Sequence, residues 1–140
     1  MDTLTAEQRS ERMSRIRSTN TKPEMKFRRF LHGLGYRYRL HANDLPGKPD
    51  IVIRKHKVAI FVHGCFWHRH PDKKCKLARL PKSREDFWVN KLEGNYKRDI
   101  AKQNELLKLG WRVLVIWECE LSNLDLLESK VKDFLAYEVD

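Results

Sequence analysis

The run Trp111-Arg112-Val113-Leu114-Val115-Ile116-Trp117 most narrows what this chain can fold into. It is short, apolar and rich in β-branched residues, so it reads as a buried strand. Two further apolar runs, Ile51-Val52-Ile53 and Val58-Ala59-Ile60-Phe61-Val62, read as strands joined by a tight polar turn from Arg54 to Lys57. Tyr36 to Leu40 alternates, with Tyr36, Tyr38 and Leu40 on one face. Helical patterns surround these strands. The first covers about residues 5–17, with Met13 and Ile16 one turn apart. A second starts with Thr21 as N-cap, Pro23 in the first turn and Glu24 placed for a capping box. It carries Phe27, Phe30, Leu31 and Leu34 at helical spacing and closes at Gly33 and Gly35. A long helix over roughly 84–109 ends at Gly110, and an amphipathic one at about 122–137 uses Leu124, Leu127, Val131, Phe134 and Leu135. The order α-α-β-β-β-α-β-α argues for an α/β fold, a mixed sheet flanked by helices. Residues 44–49 read as a loop, and 64–83 as irregular and polar.

A chain of 140 residues fits one domain around one core. No apolar run approaches the ~20 residues of a membrane helix. The beginning, MDTLTAEQRSERM, has no apolar stretch of signal-peptide length, so a cytoplasmic protein is expected. The net charge is +10 and uneven: residues 1–40 hold ten Lys/Arg against four Asp/Glu, and residues 120–140 hold two against six. A basic body with an acidic end suits a polyanion lying across one face. Charge alone does not separate DNA from RNA or from an anionic membrane.

Three cysteines, an odd number without an export signal, argue against a disulfide framework. Cys65, His70 and Cys75 are soft and borderline ligands close together on an expected loop. Zinc takes four tetrahedral ligands, and Cys119, just past the Trp111–Trp117 strand, is the candidate fourth. Such a closed Cys3His site is structural and staples the loop to the sheet. The alternative is three buried free thiols and a surface histidine.

Asp50 opens a strand after a Gly-Pro loop, and a carboxylate there suits Mg²⁺. The next strand exits through His63 into Phe66, Trp67 and His68. A histidine beside a magnesium site can take a proton from water attacking a phosphodiester, which makes His68 the candidate general base. Asp99 on the long helix and Glu24 on the second are carboxylates able to orient that histidine or the water. Phe66 and Trp67 are either loop-anchoring core or wedges that stack between bases. Met13 and Ile16 pose the same choice, a core stripe or a wedge held to phosphates by Arg12, Arg15 and Arg17.

Together the stretches RSERMSRIRSTNTKPE, LPGKPDIVI, IFVHGCFWHRH, CKLARLPKSREDFWVNKLEGNYKRD and LGWRVLVIWEC resemble the very short patch repair (Vsr) endonucleases, over roughly residues 5–135. HGCFWH and GWRVLVIWEC are the most specific pieces. The resemblance implies a restriction-endonuclease-like core with a zinc-stapled loop. It implies Mg²⁺-dependent nicking of one DNA strand 5′ to the mismatched T of a T:G pair left by deamination of 5-methylcytosine. Carried over by position, it makes Asp50 the metal-binding catalytic carboxylate, with the Val62 backbone carbonyl beside it on one or two Mg²⁺ ions. It makes His68 the general base, Asp99 its partner, and Glu24 and His63 supporting residues. One structural Zn²⁺ goes to Cys65, His70, Cys75 and Cys119. Phe66 and Trp67 wedge the DNA from one groove, and Met13 with Ile16 serves an arm over residues 1–20 in the other.

Two departures accompany the match. The strand after Asp50 reads Ile60-Phe61-Val62-His63, without the Glu-x-Lys of many restriction-like nucleases, as this repair branch also lacks it; Val62 stands where Thr is common. Pro71 to Lys74 lengthen the gap between His70 and Cys75. The implied partner is duplex DNA with a T:G mismatch, with mismatch-repair proteins as further candidates, bound by a monomer of one domain, bacterial and acting at the nucleoid. The rival readings are a restriction-like nuclease with another mismatch or structural target, a non-catalytic zinc-stabilised DNA-binding module, and an RNA-binding protein.

Overall fold

The computed structural model describes residues 20–136. The expected first helix, and with it Met13, Ile16, Arg12, Arg15 and Arg17, lies outside the described residues. The elements in chain order are α1 (Lys22–Gly33), β1 (Arg39–Leu40), β2 (Ile51–Ile53), β3 (Val58–His63), α2 (Glu85–Lys108), β4 (Arg112–Trp117) and α3 (Leu124–Ala136). Short 3-10 turns fill Arg54–His56, Lys76–Ala78 and Glu118–Ser122. Among the described residues no helix is long and apolar enough to cross a membrane.

The four strands form one mixed sheet in the order β1-β2-β3-β4. β1 and β2, and β2 and β3, run antiparallel, while β3 and β4 run parallel. The β2–β3 turn is tight because Lys57 takes a left-handed conformation (φ 53°). Strand side chains alternate between faces, and the packing follows that parity. Ile51, Ile53, Val58, Ile60 and Val62 pack with Phe27 and Leu31 of α1 and with Leu127, Val131 and Leu135 of α3. Val52, Ala59 and Phe61 turn the other way, onto Leu106 of α2. Covered on both sides, β3 is buried along its whole length, which explains its unbroken apolar sequence.

The register creates one functional edge. His63 pairs with Trp117, so β3 and β4 end together and their following segments leave the sheet side by side. Ile51 pairs with Ile60 in the antiparallel β2–β3 ladder, which brings Asp50, just before β2, to the same edge. The Pro46-Gly47 turn ahead of it packs tightly on α2: a Cβ on Gly47 (φ +75°) would stand 2.9 Å from the Lys102 Cβ.

Three sequence expectations need correction. The run Trp111–Trp117, read as a buried strand, holds the edge strand β4 of the sheet, where only Leu114 and Ile116 are buried and the alternate residues are half-exposed. The strand over Tyr36–Leu40 shrinks to Arg39–Leu40. Tyr36 and Tyr38 do pack on the core, but the Tyr38 hydroxyl donates to the Arg28 carbonyl (2.9 Å) and Leu40 is exposed. The alternation there reports burial against α1, not pairing in a ladder. The capping box is also altered. Thr21 caps α1 by accepting from the Glu24 N–H (3.2 Å). The Glu24 carboxylate, however, accepts from the N–H of Asn20 (3.2 Å), one residue before the cap.

Candidate active site and metal centre

A cleft of about 400 Å³ opens at the sheet edge, and Glu24, Asp50, His63, Trp67, His68 and Asp99 are among its walls. Asp50 stands immediately before β2, and its Oδ2 accepts from the Val62 N–H (2.8 Å). Burial pushes its pKa up to about 7, against the pull of the Val62 N–H and with further pressure from the Glu24 and Asp99 charges. Val62 places its side chain in the core with α1 and α3, so what it offers the cleft is backbone.

Glu24 is 1% exposed, an unusual position for a carboxylate. Its oxygens are satisfied by Asn20 N–H, by Arg28 (3.2 Å) and by the His41 Nε2 (2.9 Å). His41 also donates its backbone N–H to the Asp50 carbonyl (3.0 Å). It bridges the two acidic residues from a left-handed backbone (φ 49°), a conformation uncommon for a non-glycine residue. Sequence reasoning missed His41: it stands in no recognisable motif, and its pairing with Glu24 spans seventeen positions.

Across the cleft, His68 leaves β3 through the Gly64 turn, its N–H donating to the Gly64 carbonyl (3.1 Å). Its Nδ1 meets the Asp99 Oδ2 of α2 at 2.6 Å. His63 lies flat against it, the rings 3.9 Å apart and 4° from parallel. Burial, and then the neighbouring His68, push the His63 pKa well down, so its ring is neutral. The His63 Nδ1 is buried without a hydrogen-bond partner among the described residues.

Phe66 and Trp67 are half-buried beside the cleft. Each meets Trp88 of α2 edge-on, at 5.3 and 6.1 Å, and the two meet each other at 5.1 Å. Asn95 donates to the Trp67 carbonyl (3.0 Å). Trp88 is a second member that the sequence reading passed over, because on a helix its aromatic ring looks like ordinary core.

Behind the cleft, donor atoms of Cys65, His70, Cys75 and Cys119 all lie within 4.8 Å of one another. The loop closes with the His70 N–H on the Cys65 carbonyl (2.9 Å), and His70 stacks on Trp117 at 4.3 Å. Cys119 follows β4. Its N–H donates to the Cys65 Sγ (3.4 Å), and its turn is anchored where the Trp117 N–H reaches Glu120, itself held by Lys130 of α3. Burial pushes both the Cys65 and Cys119 thiols up and the His70 imidazole down. Soft sulfur and nitrogen donors in tetrahedral number suit zinc, and the longer Pro71–Lys74 segment still brings Cys75 to the group.

The model of the DNA mismatch endonuclease Vsr family matches residues 1–76. The chain belongs to the Vsr family. It is 49% identical over 134 residues to the type II nicking enzyme V.XorIIP of Xanthomonas oryzae pv. oryzae, covering 96% of both chains. It is 44% identical to the type II nicking enzyme V.NmeAIP of Neisseria meningitidis over 94% of this chain and 97% of that one. The DNA mismatch endonuclease Vsr of Escherichia coli is 40% identical, over 87% of this chain and 76% of its own length. As a Vsr protein the chain is a strand-nicking endodeoxyribonuclease, which sets aside the binding-only and RNA-binding readings.

A Vsr nuclease calls for a divalent metal, and the donor chemistry of the cleft fits one. The Glu24 and Asp50 carboxylates bring hard oxygen atoms within 4.8 Å of each other, and their mutual repulsion is what a cation relieves.

Proposed function

We propose that this protein is a very short patch repair nuclease that nicks one DNA strand 5′ to the mismatched T of a T:G pair, with Mg²⁺. On this reading the whole chain acts as one domain with a restriction-endonuclease-like core, and residues 1–20 serve as a DNA-contacting arm. The observation that carries it is convergence. Asp50, just before β2, and the His68–Asp99 pair, joining the β3 exit to α2, face one cleft, as hydrolysis of a single phosphodiester requires.

Asp50 and the Val62 carbonyl would hold one or two Mg²⁺ ions, which supply Lewis acidity to the phosphate and offset charge on the leaving oxygen. Asp99 accepts from the Nδ1–H of His68, which fixes the tautomer and leaves the Nε2 lone pair as the base. As water attacks phosphorus, its proton passes to His68 Nε2, a new P–O bond forms and the scissile P–O bond breaks. The Asp99 carboxylate stabilises the imidazolium that results. His63, buried and neutral, adds no second positive charge to that ring. Glu24, held by His41 and Arg28, is a fixed carboxylate beside Asp50. Zinc on Cys65, His70, Cys75 and Cys119 would fix the loop that aims His68.

Recognition follows from deformability. A T:G wobble pair stacks less well than a matched pair, so a wedge of Phe66 and Trp67 costs less there than elsewhere. Trp67, half-exposed, lines the cleft with Phe66 packed against it, which supports this role. The test is Asp50→Ala: nicking is expected to vanish while DNA binding persists. Full activity in that variant would remove Asp50 from the mechanism.

A further inference from the structure

A second depression, about 580 Å³, lies on the far side of the loop that carries His68. It shares that loop and the middle of α2 with the cleft: Arg69 and His70 line it beside Glu93 and Tyr96, while Asn95, Arg98 and Asp99 line the cleft. Its rim is strongly basic. Lys73, Lys74, Lys76 and Arg79 are all exposed, and among the described residues none of them is in an ion pair. Two acidic residues, Asp72 and Glu93, line it against five Lys/Arg, so the balance stays positive. Asp72 accepts from the Lys74 N–H at 2.9 Å, and its carbonyl accepts from Cys75, so it shapes the loop. Glu93 faces Arg69 at 3.8 Å.

Four exposed cations on one short loop make a positive patch that favours a polyanion lying along them. The loop is nevertheless pinned: the Ala78 and Arg79 N–H groups close a 3-10 turn on Cys75 and Lys76, and Cys75 belongs to the Cys3His group. A rigid, cationic, concave surface beside a nuclease cleft matches a duplex phosphate backbone.

We infer that this groove is a separate phosphate-binding track, on which Lys73, Lys74, Lys76 and Arg79 grip the DNA backbone outside the scissile step. The inference rests on the reading of duplex DNA as substrate. It gives the Pro71–Lys74 segment an electrostatic role, enlarging the footprint without reading sequence.

The test is the salt dependence of binding. Each phosphate contact contributes about 0.9 to the slope of log K against log salt. In a Lys73→Gln, Lys74→Gln, Arg79→Gln variant the slope is expected to fall by about 2 to 3 on both a T:G duplex and its T:A control, leaving the ratio of the two affinities unchanged. Lys76, next to Cys75, is left intact. A Lys73→Arg, Lys74→Arg, Arg79→Lys variant, which keeps the charge, is expected to keep the slope. An unchanged slope in the glutamine variant overturns the track, as does an equal collapse in the charge-keeping one. Failure of the mismatch reading would look different: the wild-type protein would bind T:G and T:A duplexes equally, whatever its slope.

Discussion

His68 Nδ1 stands 2.6 Å from Asp99 Oδ2, a contact made between a loop leaving β3 and the middle of a 24-residue helix. The pair sets which nitrogen of His68 faces the cleft, so its loss should be read in rate. Asp99→Asn keeps the shape but can present its amide N–H to Nδ1 and so favour the wrong tautomer. Single-turnover nicking is expected to fall about 100-fold or more, with DNA affinity within a factor of about 3. A rate close to wild type would make the contact structural only.

Asp50 carries a testable pH signature. Its pKa is raised from 3.8 to about 7, so the folded protein favours the neutral carboxyl. The stability this brings is complete below the unfolded pKa, near 4, and is lost as pH rises towards 7. Asp50→Asn should therefore raise Tm in magnesium-free buffer, by more at pH 8 than at pH 5.5, while abolishing nicking. Adding Mg²⁺ at pH 8 should raise the Tm of the wild-type protein and not that of the variant. Calorimetry at the two pH values checks both, and an Asn variant less stable than wild type at pH 8 would contradict the buried-charge account.

The thiol cluster predicts a metal-dependent fold. Cys119→Ser removes the ligand that ties the loop to β4. Zinc content by elemental analysis is expected to drop from one per chain, with a loss of about 3 kcal/mol, roughly 10 °C in Tm. Full zinc content and an unchanged Tm would leave Cys119 outside the centre.

Trp67 lies between the cleft and Trp88. If it wedges DNA, Trp67→Ala should cost about 1–3 kcal/mol of binding to a T:G duplex and little on a matched one, narrowing the preference between them. A uniform loss on both duplexes would instead make Trp67 part of the loop's packing.

Much of this site was legible from residue types and spacing. Cys65, His70 and Cys75 are near neighbours, and Cys119 joins them because the parallel β3–β4 register ends both strands at one edge. The sheet was legible because β3 is a buried run with helices on both faces and β4 is apolar and β-branched, although at the sheet edge it buries only Leu114 and Ile116. What escaped was tertiary. Glu24 looked locally explained by helix capping, yet its side chain turns to His41 and the cleft. Tyr36 and Tyr38 alternate like a strand but pack on α1 without ladder partners. Trp88 shows an ordinary helical pattern until the loop folds Phe66 and Trp67 against it.

The most direct measurement is incubation of the wild-type protein with an end-labelled T:G duplex and its T:A control, each with and without Mg²⁺. The expected result is a single cut, in the T-bearing strand, 5′ to the mismatched T, only in the T:G duplex and only with the ion. Equal cutting of both duplexes, or cutting that persists without Mg²⁺, would contradict the account.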